Sequence, residues 1–106
     1  MKEMGEKELF ELIEKGNDPA AVFLYTPFCG TCKMTERMLE VVEQLISEEI
    51  IYRVNVNMTP NLVMRYKISS VPCIMLFDQN RDHDPKLLYQ MNSVQHLLAE
   101  IRGVIE

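Results

Sequence analysis

The chain has 106 residues and a mass of 12.4 kDa, with 47% of positions apolar and 25% charged. That is the make-up of one globular domain of roughly 100 to 150 residues, and it excludes a two-domain enzyme, a disordered tail or a collagen. A formal charge of −5 has the wrong sign for nucleic acid or an anionic membrane surface.

Leu9, Phe10, Leu12 and Ile13 put an apolar stripe on a short first helix, which Gly16 is suited to end in a left-handed turn. After Asn17-Asp18-Pro19, the run Ala20 to Tyr25 is apolar throughout, too short for a helix, and reads as a central strand covered on both faces. It is the longest wholly apolar run, far short of the roughly 20 residues of a membrane span. Thr26-Pro27 stops it. A long helix follows, with Met34, Met38, Val41, Val42, Leu45 and Ile46 at helical spacing as its core stripe, and Glu36, Glu40, Glu43 and Gln44 as its solvated face.

Ile50 to Val56 is the next strand, with Tyr52, Val54 and Val56 on one face. Thr59 and Pro60 suit the N-cap and first position of a short helix through Tyr66, ended by Ile68-Ser69-Ser70. Cys73 to Phe77 is a third strand, and a fourth near Lys86 to Met91 pairs with it as a hairpin across a polar turn. Asn92 or Ser93 caps a last helix bearing Val94, Leu97, Leu98, Ile101, Val104 and Ile105. The fold class is therefore α/β, a mixed sheet of about four strands with helices on both faces, formed by a parallel crossover and an antiparallel hairpin. No repeat or linker divides the chain, so residues 1–106 are expected to form a single domain. His83 and His96 read as surface residues, and the eight methionines as core filling.

Chemistry concentrates at Cys29-Gly30-Thr31-Cys32, where the first long strand meets the long helix. A chain of this length buries a core without disulfide staples, so the cysteines are free for other work. In a reducing compartment a pair three positions apart is more often catalytic, redox-sensing or metal-binding than structural. The opening residues Met1 to Glu8 are too acidic and interrupted for a secretory leader, so a cytoplasmic location is expected.

Cys29 falls at or next to the N-cap, where unpaired N–H groups and the positive end of the helix dipole favour a thiolate. Lys33 adds a positive charge. A thiol pKa lowered from about 8.5 to about 7 raises the thiolate fraction at neutral pH about 16-fold, and the weaker basicity costs roughly five- to sixfold in nucleophilicity. The net gain in attack is about threefold, and the same shift makes Cys29 a better leaving group. Two unequal cysteines suit exchange better than either alone.

The strand, the Cys-Gly-X-Cys at the helix start, Lys33-Met34 after it, and Tyr66-Lys67-Ile68-Ser69-Ser70-Val71-Pro72 before a later strand together resemble the thioredoxin family, from about Ala20 to Ile105. The resemblance implies a thioredoxin-like fold and a thiol–disulfide oxidoreductase. In that reading Cys29 is the attacking nucleophile and Cys32 the resolving thiol, with Cys29 and Cys32 forming the redox-active disulfide. The resemblance further implies a cis Val71–Pro72 bond beside the cysteines, with the Val71 backbone pairing with an extended substrate segment. Phe28, Gly30, Thr31, Val71 and Pro72 would then form the substrate-binding surface, with Lys33 and Cys73 as candidate modulators. The implied partners are disulfide-containing proteins and an NADPH-dependent flavoprotein thioredoxin reductase. A monomer is expected, with no cofactor or metal and no nucleic-acid or membrane partner.

The departures from the family pattern are specific. Phe28 replaces the usual Trp, and Thr31 the usual Pro, from which we expect a couple less reducing than thioredoxin's own. Phe23, six residues before Cys29, stands where the family carries a buried carboxylate that takes the Cys32 proton, and the sequence shows no evident substitute. The family glycine after the last strand is missing near Met91 and Asn92, and its first strand has little room before the first helix. Nothing between Phe77 and Tyr89 resembles the glycine-rich glutathione site of glutaredoxin. Cys73 reads either as a small buried hydrophobe or as a thiol that tunes Cys29 or traps it in another disulfide. The alternatives to an enzyme are a binding module on the same fold, or a thiolate metal or iron–sulfur scaffold using Cys29, Cys32 and Cys73.

Overall fold

The run Ala20–Tyr25 forms β2, buried from Ala20 to Leu24, and it lies in the middle of a five-stranded sheet in the order β1-β3-β2-β4-β5. In the computed structural model, which describes residues 1–106, the elements in chain order are β1 (Lys2–Glu3), α1 (Glu6–Lys15), β2, α2 (Gly30–Leu45), β3 (Ile51–Asn55), a 3-10 turn (Val56–Met58), α3 (Pro60–Tyr66), β4 (Cys73–Phe77), β5 (Lys86–Leu88) and α4 (Val94–Ile105). β2 runs parallel to β3 across α2 and antiparallel to β4, and β4 pairs antiparallel with β5. The mixed sheet, the central strand and the terminal hairpin are those expected from the sequence. The additional strand is β1. Its two residues are exposed and pair parallel with Tyr52 and Arg53 of β3, so backbone bonding creates it without any hydrophobic pattern.

Alternation along the strands divides the core into two layers. Ala21, Phe23, Ile74 and Leu76 face the side covered by Leu39 and Val42 of α2 and Leu97 and Ile101 of α4. Ala20, Val22, Leu24, Cys73, Met75 and Phe77 face Leu9 and Ile13 of α1 and Leu62 of α3. Helices therefore cover both faces. Tyr52, Val54 and Val56 all join the second layer, as their spacing predicts.

The α2 stripe is shifted from the expected one. Cys32, Thr35, Leu39 and Val42 form the buried seam, with Met38 and Ile46 beside it, whereas Met34, Val41 and Leu45 are exposed. Cys32, Thr35, Leu39 and Val42 follow one another at steps of three and four residues along one face, and Met34, two residues after Cys32, falls on the other side of the helix.

Two helix ends also differ from expectation. Gly16 has φ −81° and is not left-handed, but a Cβ there would collide with the Leu12 carbonyl, which accepts the Gly16 N–H. The left-handed residue is Lys67, at φ 54°, past the end of α3. Thr59 precedes α3 without capping it through its side chain. Glu6 of α1 does so, accepting from the Asn61 and Leu62 N–H groups at 2.9 and 3.1 Å. At α4 the expected Ser93 cap is present, with Oγ accepting from the His96 N–H at 3.0 Å.

Candidate active site

β2 runs toward Thr26-Pro27-Phe28, and α2 begins just beyond. Cys29 is the N-cap of α2 with extended backbone (φ −106°, ψ 110°), and its carbonyl already accepts from the Lys33 N–H at 3.2 Å. Because Cys29 lies just outside the helical turn, its Cα is 5.2 Å from that of Cys32, and the two are joined as a disulfide. That separation lies within the usual range for a bridged pair, about 4.4 to 6.8 Å.

The two sulfurs have unequal surroundings. Cys32 is buried and Cys29 half-buried. The Cys29 Sγ accepts from the Cys32 N–H at 3.1 Å and lies 3.4 Å from the Thr31 hydroxyl, which can donate to it. Both donors point at the sulfur that a charge on Cys29 would occupy, so the N-terminal turn of α2 is arranged to stabilise a thiolate there. Thr31 also fixes the turn through its carbonyl, which accepts from the Thr35 hydroxyl at 3.1 Å.

The structure places the other residues selected from the sequence near this end of the sheet, with one exception in the face it occupies. The Val71–Pro72 peptide is cis. It immediately precedes β4, whose first residue, Cys73, pairs with Leu24 near the end of β2, so Pro72 lies at the same end of the sheet as the cysteine loop. Val71 packs against both core layers, one of which contains Cys32. Phe28 is 99% exposed and projects into solvent. Gly30, Thr31 and Lys33 are exposed around the pair.

The exception is Cys73, on the opposite face. Its side chain lies in the layer covered by α1 and α3, fully buried, and burial pushes its thiol up to about 11 against a smaller opposing effect of a hydrogen bond with Tyr89. No group of three His, Cys, Asp or Glu side chains is placed to hold a metal ion. The sheet thus separates Cys73 from Cys32, which matches the reading of a small buried hydrophobe and not that of a thiol placed to tune or trap Cys29.

The polar side of the site has no signature in the sequence. Phe23 is in the core, stacked on Tyr25 with ring centroids 5.7 Å apart. Beside it a cleft of about 280 Å³ is lined by Tyr25, Cys32, Lys33, Glu36 and Arg53. Glu36 is not simply solvated: its carboxylate pairs with the Arg53 guanidinium, whose Nε lies 3.0 Å from Glu3 Oε1. The Tyr25 hydroxyl donates to Glu3 at 2.8 Å, and Arg53 stacks 4.4 Å from the Tyr25 ring centroid. Burial raises the Tyr25 pKa, with Glu3 adding to the rise against Arg53. Burial works to lower the Arg53 pKa but is outweighed by Tyr25, Glu36 and Glu3, so it too is raised. The partners come from β1, β2, β3 and α2, a convergence that no local spacing encodes.

The Thioredoxin family profile matches residues 1–102. A thioredoxin-like protein of Bacillus subtilis (strain 168), YusE, is 43% identical over 102 residues, covering 96% of this chain and 92% of its own. A thioredoxin of Rickettsia felis is 33% identical over 78 residues, 72% of this chain and 74% of its own. Among solved structures, chloroplastic thioredoxin z superposes with a TM-score of 0.84 at 15% identity, covering 98% of this chain and 93% of that one. A point mutant of the thioredoxin from Halobacterium salinarum NRC-1 gives 0.81 at 18% identity, covering 99% and 90%. The structures speak to the fold alone, and no helix is long and apolar enough to cross a membrane. Sequence relatives and profile both extend over the strand, the CxxC turn and the residues around Pro72, and on that ground the chain belongs to the thioredoxin family, whose general chemistry is thiol–disulfide oxidoreduction.

Proposed function

We propose that the protein reduces or exchanges disulfides in protein substrates through the Cys29/Cys32 dithiol. The observation that carries this reading is the position of the pair: Cys29 caps α2 with its sulfur accepting from the Cys32 N–H, while Cys32 is buried one turn on. In the reduced protein the Cys29 thiolate attacks one sulfur of the substrate disulfide. The Cys29–substrate S–S bond forms, the substrate S–S bond breaks, and the departing thiolate takes a proton. Cys32 then loses its proton and attacks Cys29 Sγ, which closes the Cys29–Cys32 disulfide and releases the second substrate sulfur as a thiolate. The asymmetry suits both steps, because a stabilised Cys29 thiolate is present to attack and departs readily when displaced.

Phe28, Gly30, Thr31, Val71 and Pro72 form the docking surface. An exposed aromatic side chain beside the reactive sulfur supplies apolar contact area, with Met34 exposed on the same helix end. Val71 lies outside the strand ladder, which suits pairing of its backbone with an extended substrate segment. Lys33 contributes positive charge near the pair. An NADPH-dependent flavoprotein thioredoxin reductase returns the electrons. The test couples the protein to NADPH, a thioredoxin reductase and insulin. Turnover that is lost in Cys29→Ser is expected; no turnover, or turnover that survives Cys29→Ser, overturns the reading.

A further inference from the structure

We propose that Glu36 is the base that receives the Cys32 proton, through water in the cleft between them, when Cys32 attacks the mixed disulfide. This rests on the exchange reaction proposed above and concerns its second step only.

Resolution requires a buried thiol to become a nucleophile. Cys32 is 2% exposed, so its proton needs a route and an acceptor. The cleft supplies the route. Cys32 lines it, and at about 280 Å³ it has room for several waters of about 30 Å³ each. Glu36 is four residues after Cys32 on α2, which puts both side chains on one face of the helix, and both line this cleft.

The remaining ionisable groups on the cleft cannot accept. Lys33 and Arg53 are cations with donors only. The Tyr25 hydroxyl is already donating to Glu3, and its raised pKa keeps it protonated. Glu36 is the acceptor that is left. Glu36 pairs with Arg53, and Arg53 also holds Glu3. Two carboxylates share one guanidinium, so this trio carries one uncompensated negative charge. When Glu36 takes the proton, the trio becomes neutral and Arg53 keeps Glu3 as its partner. The charged and titratable groups around Glu36 are Arg53 from β3, Glu3 from β1, Tyr25 from β2, and Lys33 and Cys32 from α2.

The step balances. The Cys32 S–H proton passes through cleft water to a Glu36 carboxylate oxygen, the sulfur's electron pair forms the bond to Cys29 Sγ, and the Cys29–substrate bond breaks with its electrons on the substrate sulfur. Glu36 afterwards returns the proton to solvent through the open cleft.

The experiment uses a peptide disulfide whose two halves carry different fluorophores, mixed with reduced protein in a stopped-flow instrument over a pH series. Release of the first half reports attack by Cys29 and release of the second reports resolution by Cys32. In Glu36→Gln the second phase is expected to slow about tenfold or more near neutral pH, and the deficit to close by about pH 10, where hydroxide removes the thiol proton unaided. Glu36→Asp restores part of the rate. Glu3→Gln, a change at an exposed β1 residue, leaves Arg53 to Glu36 alone and is expected to slow the same phase, so the idea does not depend on one variant folding. A second phase in Glu36→Gln that matches the parent, or one slowed equally at every pH, overturns the proposal while leaving the exchange reaction standing. Absence of the first phase in the parent overturns both.

Discussion

Cys73 pairs with Leu24 across the β2–β4 ladder, and the alternation of that register turns its sulfur away from Cys32, to the layer beneath α1 and α3. An alternative disulfide would have to cross the sheet. Mass mapping of air-oxidised protein is expected to show only the Cys29–Cys32 link, with one free thiol at Cys73. A thiol reagent should find that thiol only after denaturant is added, since it is fully buried. A Cys29–Cys73 or Cys32–Cys73 peptide in the digest would contradict this.

Burial of the same thiol has a consequence for stability. Its pKa rises from 9.0 to about 11 on folding. A group whose pKa is raised in the folded state contributes stability that is fully present below its unfolded value and is lost as pH rises through the folded one. The window therefore runs from about pH 9 to about pH 11, with a full span of about 3 kcal/mol. Urea unfolding of the oxidised protein, in which the other two cysteines do not titrate, should show the parent losing about 1 kcal/mol more than Cys73→Val between about pH 8 and about pH 10. Equal losses in the two proteins would refute it.

Glu6 acts in the opposite direction. Burial works to raise its pKa, but the hydrogen bonds from Leu62 and Asn61 outweigh it and hold the carboxyl below its ordinary value. The stability it contributes is present above the unfolded carboxylate value and lost as pH falls through the lower folded one. Glu6→Gln is expected to melt below the parent near neutral pH, because an anion at the N-terminus of α3 is replaced by a neutral group. The gap should narrow as both are acidified. Identical melting temperatures at neutral pH would show that this cap contributes nothing.

The Thr31 hydroxyl, 3.4 Å from Cys29 Sγ, bears on the redox potential. A hydroxyl that donates to a thiolate stabilises the reduced form and makes the couple more oxidising. Equilibration with glutathione buffers is expected to give a potential above about −270 mV, and Thr31→Val should lower it by about 20 mV, the equivalent of about 1 kcal/mol for two electrons. An unshifted potential in Thr31→Val would remove the hydrogen bond from the account.

What is legible in the sequence follows from the range of the interactions involved. β2, β4 and α4 are bounded by local signals, an unbroken apolar run, a preceding proline and a serine cap, and they fall where those signals put them. The CxxC pair at a strand–helix junction is equally local. β1 is not legible, because two exposed residues become a strand only when β3 is beside them. The α2 seam departs from its expected line because Cys32 and Thr35 belong to the buried face, while Met34, Val41 and Leu45, apolar residues that suggest the neighbouring line, are exposed. Glu36 looks like one of three solvated glutamates, since its partner Arg53 lies on β3 and its neighbours Glu3 and Tyr25 on two further strands. The polar side of the site is thus a product of the fold, whereas the sulfur side is written in four consecutive residues.

The central claim is that the start of α2 makes Cys29 the reactive thiol of the pair, and timed iodoacetamide labelling of the reduced protein near neutral pH, read by peptide mass mapping, tests it most directly. Cys29 is expected to be alkylated about threefold or more faster than the same residue in denatured protein, and about tenfold or more faster than the buried Cys32. Equal labelling of Cys29 and Cys32, or a Cys29 rate no higher than in the denatured chain, would contradict the account.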